Sequence, residues 1–357
     1  CTMAEYTANY RLKKPDRTDY YNVADFNSNS DIIDKYVKQN FDESKSYTDS
    51  KKAEAVAETK DWAINTFSNP NLLRNGDSQV WQRGTDIEIS GATRKYTADG
   101  WGVICFPGAR VKKGTKGFME AIIGSTVGDF SMQQIIEINS NLWGKKLTLS
   151  YDCGPEYIYA RLTYSLDGKN YSDLIGYKKS IPNTRNYITT NPIPENSTMV
   201  AVYIYKSTNH DMAANMVIPL GNFKLELGET ATPFVPRPYG EELALCQRYF
   251  YRIAVHGSET LHIGQGYAKS QTEAFVDVTL PTIMRIPPTV TVSDPTLAYL
   301  YDTAARKPIK SIVKDSSGEM LQTLKVTMES NVLTTGNGVM FNSYTTGFFI
   351  DFDAEIY

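Results

Sequence analysis

The chain changes its hydrophobic rhythm along its length. From Tyr20 to Phe67 neither glycine nor proline occurs, while both punctuate everything from Pro70 onward. The unbroken stretch predicts helix. Asp25 is the expected cap of a first helix that sets Phe26, Ile33 and Val37 on one side, with Ser28, Asn29 and Ser30 weakening it. In "NFDESKSYTDSKKAEAVAETKDWAINTF", Phe41, Thr48, Ala55 and Trp62 recur every seven residues, which is coiled-coil spacing. Lys, Ser and Glu fill the intervening positions, so the seam is poor. A helix with so little to bury predicts a thin stalk of several copies, or an attachment arm ordered by a larger partner. A lone surface helix packed on the next domain is the alternative.

Beyond Pro70 the period drops to two. "KKLTLSYD" alternates Leu147, Leu149 and Tyr151 with Thr148, Ser150 and Asp152, and "MVAVYIYK" sets Val200, Val202 and Ile204 against Ala201, Tyr203 and Tyr205. "YIYARLTYSLDGKNYSDL" alternates through an Asp167-Gly168 turn. The same texture returns in "EAFVDVTLP", "TVTVSD", "TLKVTME" and "GFFIDFDAEI", with an Asn337-Gly338 turn signal. The expected fold is mainly β: a helical N-terminal arm (1–69) followed by two antiparallel β-sandwich domains (70–235 and 236–357).

Composition removes several functions. With Lys+Arg 37 against Asp+Glu 40 the net charge is -3, so no basic footprint marks a nucleic-acid or anionic-membrane partner. No run of about 18 apolar residues is present to span a bilayer, and the N-terminal stretch lacks an apolar leader core. The expectation is a soluble protein folded in the cytoplasm of the cell that makes it. Cys1, Cys105, Cys153 and Cys246 lie far apart without metal-ligand spacing and read as free thiols. Tyrosine stands out, 24 against 14 Phe and 4 Trp. A flat apolar ring with a polar tip suits an exposed recognition surface, and equally a Tyr-rich core or subunit interface.

Three stretches then carry a resemblance. "NLLRNGDSQVWQRGT" (71–85), "YTADGWGV" (96–103) and "GNFKLELGETATPF" (221–234) resemble the carbohydrate-binding jelly rolls found inside phage tail fibre proteins. "YRLKKPDRTDYYNVADFNSNSDIIDKYV" is similar to the helical attachment region of tail fibres. "ALCQRYFYR" with "VTLPTIMRIPPTVTVSD" (Met284, Arg285, Pro287 and Pro288 among them) resembles their C-terminal receptor-binding head. The resemblance implies a tail fibre or receptor-binding protein of a phage, prophage or phage-tail-like particle. It would be a homotrimer in the virion tail or an extracellular particle, joined through its arm to a tail or baseplate protein. Its partner would be a bacterial cell-surface polysaccharide. A Pro-rich joint (Pro233, Pro236, Pro238) would fix the pose of the two β modules. Related jelly rolls often hold a structural calcium, but the matching neighbourhoods here read Gln79 and Asn222. Asp77 and Glu226 remain as calcium candidates, and no other cofactor is expected.

The strand phase yields candidate ligand residues. If Ile158, Leu162 and Tyr164 face the core, Tyr157, Tyr159 and Arg161 face outward, as do Tyr203 and Tyr205 on their own strand; Thr148 and Ser150 point outward by the same rule. With Trp101 these tyrosines and Arg161 form the candidate glycan-binding set: rings to stack on sugars, hydroxyls and a guanidinium to bond them. The other reading is packing of this face against a sheet, a subunit or the stalk. His256 and His262 lie about 20 Å apart on an extended strand, too far to share a metal, and His210 stands alone. "GQGYAK" from Gly264 lacks the third glycine of a dinucleotide motif and sits among strands. No nucleophile elbow, His-Glu-x-x-His or P-loop occurs. The chain is therefore expected to bind rather than catalyse, with a polysaccharide depolymerase or a secreted glycan-binding adhesion protein as the alternatives.

Overall fold

The change of period near Pro70 is also where the fold divides. The computed structural model describes residues 5–16, 20, 22–66, 68–91, 93–105, 108–257, 259–303 and 305–356. It forms two compact units, Cys1–Phe67 and Ser68–Tyr357. Cys1 lies outside the described residues.

In the first unit, β1 (Glu5–Tyr6) pairs antiparallel with β2 (Lys13–Lys14), and a single helix α1 (Val23–Thr66) follows. Its 44 residues make a rod of about 66 Å. The cap is Asn22, not Asp25: Asn22 Oδ1 accepts from the Ala24 amide at 3.0 Å, while Asp25 sits inside the first turn and pairs with Lys13. The polar run that looked like a weak point does not interrupt the helix. Ser30 donates back to the Phe26 carbonyl, and the Asn29 amide meets Lys13 as a strand would, accepting from its N–H and donating to its C=O, both at 2.9 Å. Phe41 and Trp62 are 67% and 60% exposed, so the unit buries neither end of the seven-residue stripe.

The second unit opens with twelve strands: β3 (Asp86–Ser90), β4 (Lys95–Tyr96), β5 (Gly102–Cys105), β6 (Gly108–Lys113), β7 (Phe118–Ile123), β8 (Phe130–Glu137), β9 (Leu147–Cys153), β10 (Tyr159–Ser165), β11 (Tyr171–Lys179), β12 (Arg185–Thr189), β13 (Met199–Lys206) and β14 (Val217–Leu227). They form two six-stranded antiparallel sheets, ordered β11-β10-β13-β8-β5-β4 and β12-β9-β14-β7-β6-β3. The expected alternation holds. Leu147, Leu149, Tyr151, Val200, Val202 and Ile204 are buried between the sheets, and Asp167 turns the β10–β11 hairpin by accepting from the amides of Lys169 and Asn170. Those bonds hold the Asp167 carboxyl well below its ordinary range.

The opening loop is pinned to the last strand. Asn71 Oδ1 accepts from the Leu73 and Leu225 amides and its Nδ2 donates to the Phe223 carbonyl, all within 3.0 Å. Gly76 is required here, because a β carbon would lie 2.1 Å from that same carbonyl oxygen.

After α2 (Tyr239–Gln247) come β15 (Phe250–Ala254), β16 (Leu261–Ala268), β17 (Glu273–Thr279), β18 (Thr289–Val292), β19 (Ala298–Asp302), β20 (Ala305–Ser317), β21 (Leu321–Met328), β22 (Gly338–Ser343) and β23 (Phe349–Asp353). Here the antiparallel strands do not stack as two open sheets: β16-β17-β21-β20-β19-β22 close into a barrel beside a three-stranded sheet, β15-β23-β18. The glycines of "GQGYAK" permit the closure. A β carbon on Gly266 would fall 1.8 Å from the Phe275 carbonyl of β17, so they serve close strand approach rather than a nucleotide. The expected turn at Asn337-Gly338 lies one step earlier. Gly336 has φ 87°, Gly338 already belongs to β22, and buried Asp302 holds the loop through the Thr334 amide and the Asn337 side chain.

The two β parts meet over a buried polar seam. Arg74 Nη2 lies 2.7 Å from Glu355 Oε2, with its guanidinium 3.7 Å from the Tyr249 ring centroid. Arg83 pairs with Asp99 at 3.3 Å and lies 3.4 Å over Phe250. Burial pushes the Asp99 carboxyl up to about 7, against the pull of Arg83. Arg237 donates to the Asn71 and Leu73 carbonyls and pairs with Glu242. Arg285, from the Met-Arg stretch, donates to the Ala354 carbonyl and pairs with Glu137 on β8.

Candidate functional site

The outer face of the β11-β10-β13 end carries most of the expected ligand residues. Because β10 and β13 pair in register, Tyr159 lies opposite Tyr205 and Arg161 opposite Tyr203. Tyr157, Tyr159, Arg161 and Tyr205 are all half-buried, as the strand phase predicts for that face. The structure adds His210 and Tyr177. The rings run on from one to the next: Tyr159 to His210 at 4.4 Å, His210 to Tyr205 at 6.0 Å, Tyr205 to Tyr177 at 5.4 Å. Arg161 closes the row, 4.7 Å from the Tyr177 centroid and 4.8 Å from that of Tyr203, and 3.3 Å from Asp173.

The polar tips are set by carboxylates. Tyr205 donates its hydroxyl to Asp129 at 3.1 Å, and Tyr157 donates to Asp211 at 2.9 Å. Desolvation first, then Asp211, pushes the Tyr157 phenol up to about 12. Desolvation likewise raises the Tyr205 phenol, so both stay neutral donors at ordinary pH. Arg161, Lys179 and Lys206 are answered by Asp129, Asp173, Asp211 and Glu156, so the face has no strong field of either sign. Tyr157 already has cations against its ring: the ammonium groups of Lys179 and buried Lys206 each lie 3.8 Å from its centroid. The stacking row is Tyr159, His210, Tyr205 and Tyr177, with Arg161 against the Tyr177 ring at its end.

Several expected positions move. Trp101 is fully buried, 4.6 Å from the Phe223 ring, with Nε1 donating to the Asn75 carbonyl at 3.0 Å, so it is a core residue and not a ligand residue. Tyr203 sits at the covered end of the face: Ile135, Ala201 and Ile356 make a small buried cluster with it, Tyr171 and Tyr249. Thr148 and Ser150 do point away from the core, but from the opposite sheet. They are buried there, Thr148 donating to the Gly228 carbonyl and Ser150 accepting from Arg185. His210 bonds Ser207 rather than standing alone, and His262 bonds Asn342.

The calcium candidates are not a set. Both Glu226 oxygens are engaged, Oε1 by the Thr232 amide and Oε2 by the Thr232 hydroxyl and the Lys224 ammonium at 3.3 Å. Lys224, itself buried, also donates to Ser68 Oγ, Thr232 Oγ1 and the Pro233 carbonyl. Asp77 is half-buried, and burial raises its carboxyl above the usual range. Among the described residues no three His, Cys, Asp or Glu side chains gather to hold a metal. Cys105, Cys153 and Cys246 are free and buried, and burial raises each thiol.

No family model matches the chain. No curated protein matches it either. Solved structures give faint likenesses. The enzymatically active domain of tailspike protein 4 from bacteriophage CBA120 aligns at 12% identity and TM-score 0.28, over 44% of this chain and 21% of that one, so this chain spans about a fifth of the tailspike domain. The carbohydrate-binding module CBM4 aligns at 14% identity and TM-score 0.28, over 43% of this chain and 98% of the module. TmCBM61 in complex with β-1,4-galactotriose aligns at 11% and 0.26, over 44% and 99%. At such TM-scores these likenesses assign neither fold nor function to this chain.

Proposed function

We propose that this chain is a non-catalytic receptor-binding component of a phage or phage-like tail, attaching its particle to a bacterial surface glycan through the outer face of β11, β10 and β13. One observation carries the binding reading: the run of Tyr159, His210, Tyr205 and Tyr177, whose ring spacings of 4.4–6.0 Å offer successive apolar platforms edged by phenol and carboxylate groups. Stacking supplies affinity and the polar edge supplies orientation. The near balance of charge favours a neutral polysaccharide. Binding rather than hydrolysis is supported by the acids of this face, because Asp129, Asp173 and Asp211 already serve Tyr205, Arg161 and Tyr157. The tail role is supported by the sequence resemblance of residues 71–85, 96–103 and 221–234.

Affinity electrophoresis of the full chain through gels containing neutral bacterial polysaccharides tests the site. Tyr159→Ala or Tyr205→Ala should weaken retardation about tenfold, equivalent to ~1.4 kcal/mol. Unchanged retardation in both variants would remove this face from the reading. Shortening of the polymer on incubation would instead favour a depolymerase.

The exposed stripe of α1 supports a second element of the proposal, a homotrimeric stalk. A helix of this length gains little stability alone from a sparse apolar face, and pairing with copies of itself would cover Phe41 and Trp62. Light scattering should then give about three times the 40.0 kDa of one chain. Phe41→Asp should reduce that mass, and a wild-type monomer at all concentrations would refute the self-assembled stalk.

A further inference from the structure

The barrel carries an arginine unlike the rest. Every other arginine described after Ser68 donates a hydrogen bond or pairs with a carboxylate: Arg110 with Asp86, Arg185 with Asp152 and Arg252 with Asp351, for example. Arg306, exposed on β20, has neither among the described residues. It is held instead by rings. Its guanidinium lies 4.8 Å from the Tyr299 centroid and 4.7 Å from that of Tyr344, and the two tyrosines are 5.6 Å apart. Stacking of this kind fixes the guanidinium plane while leaving its N–H fork free.

The surroundings are those of a ligand site rather than of a solvated charge. Barrel register places His262, Asn342 and Tyr299 side by side on neighbouring strands, and Met340, Tyr301 and Arg306 in the next outward row. Asn342 is only 7% exposed and its Oδ1 is fixed by His262 Nδ1 at 3.1 Å. Tyr344, beside that fork, is 45% exposed. Lys310, further along β20, also lacks an ion-pair partner among the described residues, whereas Arg161 and Lys206 of the sandwich face are paired with carboxylates.

We infer that this outer wall of the barrel is a second binding site, for a saccharide bearing an anionic group: the carboxylate or phosphate takes the Arg306 fork, and the sugar ring lies against Tyr344. The shared chemistry is a compact oxyanion on a hexose. It is met by a uronic acid or by a sugar phosphate, since both accept two parallel N–H bonds. The inference does not depend on the Tyr159–Tyr177 face, whose proposed ligand is neutral.

Ligand-observed NMR on the full chain tests it with three probes: trigalacturonate, glucose 6-phosphate, and neutral maltotriose as control. At least one acidic probe should bind, more weakly as salt approaches about 0.5 M. Which one binds separates carboxylate from phosphate. Arg306→Gln should lower that affinity about tenfold or more, Arg306→Lys less, and Tyr344→Ala severalfold, while Tyr159→Ala leaves it unchanged. Arg306 is exposed, so its variants should fold, and Tyr344→Ala provides an independent reading. The inference fails if neither acidic probe binds the wild type, if Arg306→Gln binds them as tightly, or if Tyr159→Ala alone abolishes the signal.

Discussion

Glu355→Ala is expected to destabilise the second unit by about 3–5 kcal/mol, the cost of leaving a buried charge unpaired. Glu355 has its side chain fully buried, and Arg74 opposite it is 6% exposed. Their 2.7 Å contact neutralises a guanidinium that otherwise has, among the described residues, only the Ile135 carbonyl and the Tyr249 ring. Arg83 approaches the second Glu355 oxygen at 3.5 Å but keeps Asp99 at 3.3 Å and Asp353 at 3.5 Å, so removing Glu355 leaves chiefly the Arg74 guanidinium unpaired in a medium of low dielectric. Denaturant unfolding should show the midpoint fall with little change in slope. Adding Arg74→Met to Glu355→Ala should recover much of the loss, because the unpaired charge is gone and the methionine still packs on Tyr249. A loss below about 1 kcal/mol would mean that water reaches the guanidiniums and that the seam is not sealed.

Trp101→Ala is expected to cost about 3–5 kcal/mol as well, by a different route. The indole is fully buried between the sheets against Phe223, which itself stacks near Tyr151 at 5.8 Å, so its loss opens a large cavity. It also removes one of two donors to the Asn75 carbonyl, leaving only the Ser78 amide among the described residues. Trp101→Phe should cost less, about 1–3 kcal/mol, because most of the volume stays and chiefly the hydrogen bond is lost. Calorimetry reads the stability, and glycan retardation of the folded fraction reads the site. A normal midpoint with lost retardation would restore Trp101 to the binding face.

The comparison of sequence with structure turns on what a strand pattern contains. Alternation places Leu149 inward and Ser150 outward, and both assignments hold, because a one-residue slip would have exposed the whole set. Alternation does not say what lies over the outward side. Ser150 and Thr148 are covered by Arg185 and the Gly228 region, and Tyr203 by Ile356, all far away in sequence. Trp101 misled for a related reason: tryptophan suits a sugar platform and a core equally, and only its Asn75 partner decides. His210 was invisible because a loop residue joins a sheet face through tertiary placement, not period. Tyr177 had a weak signal in its alternating neighbours, but the β10–β11 bulges between Ala160 and Thr163 break the arithmetic. In the helix the cap belongs to Asn22 while Asp25 pairs with Lys13, a contact between the hairpin and the helix that no local rule contains.

Lys224 has a consequence of its own. Its ammonium is embraced by four oxygens from Ser68, Thr232, Pro233 and Glu226, tying the chain before the opening loop to the segment after the last strand. The positive charge at that junction is tethered through the backbone. It cannot be dialysed away, leached by a chelator or displaced by a competing ion, so the clasp it forms should hold equally in ion-poor and ion-rich surroundings.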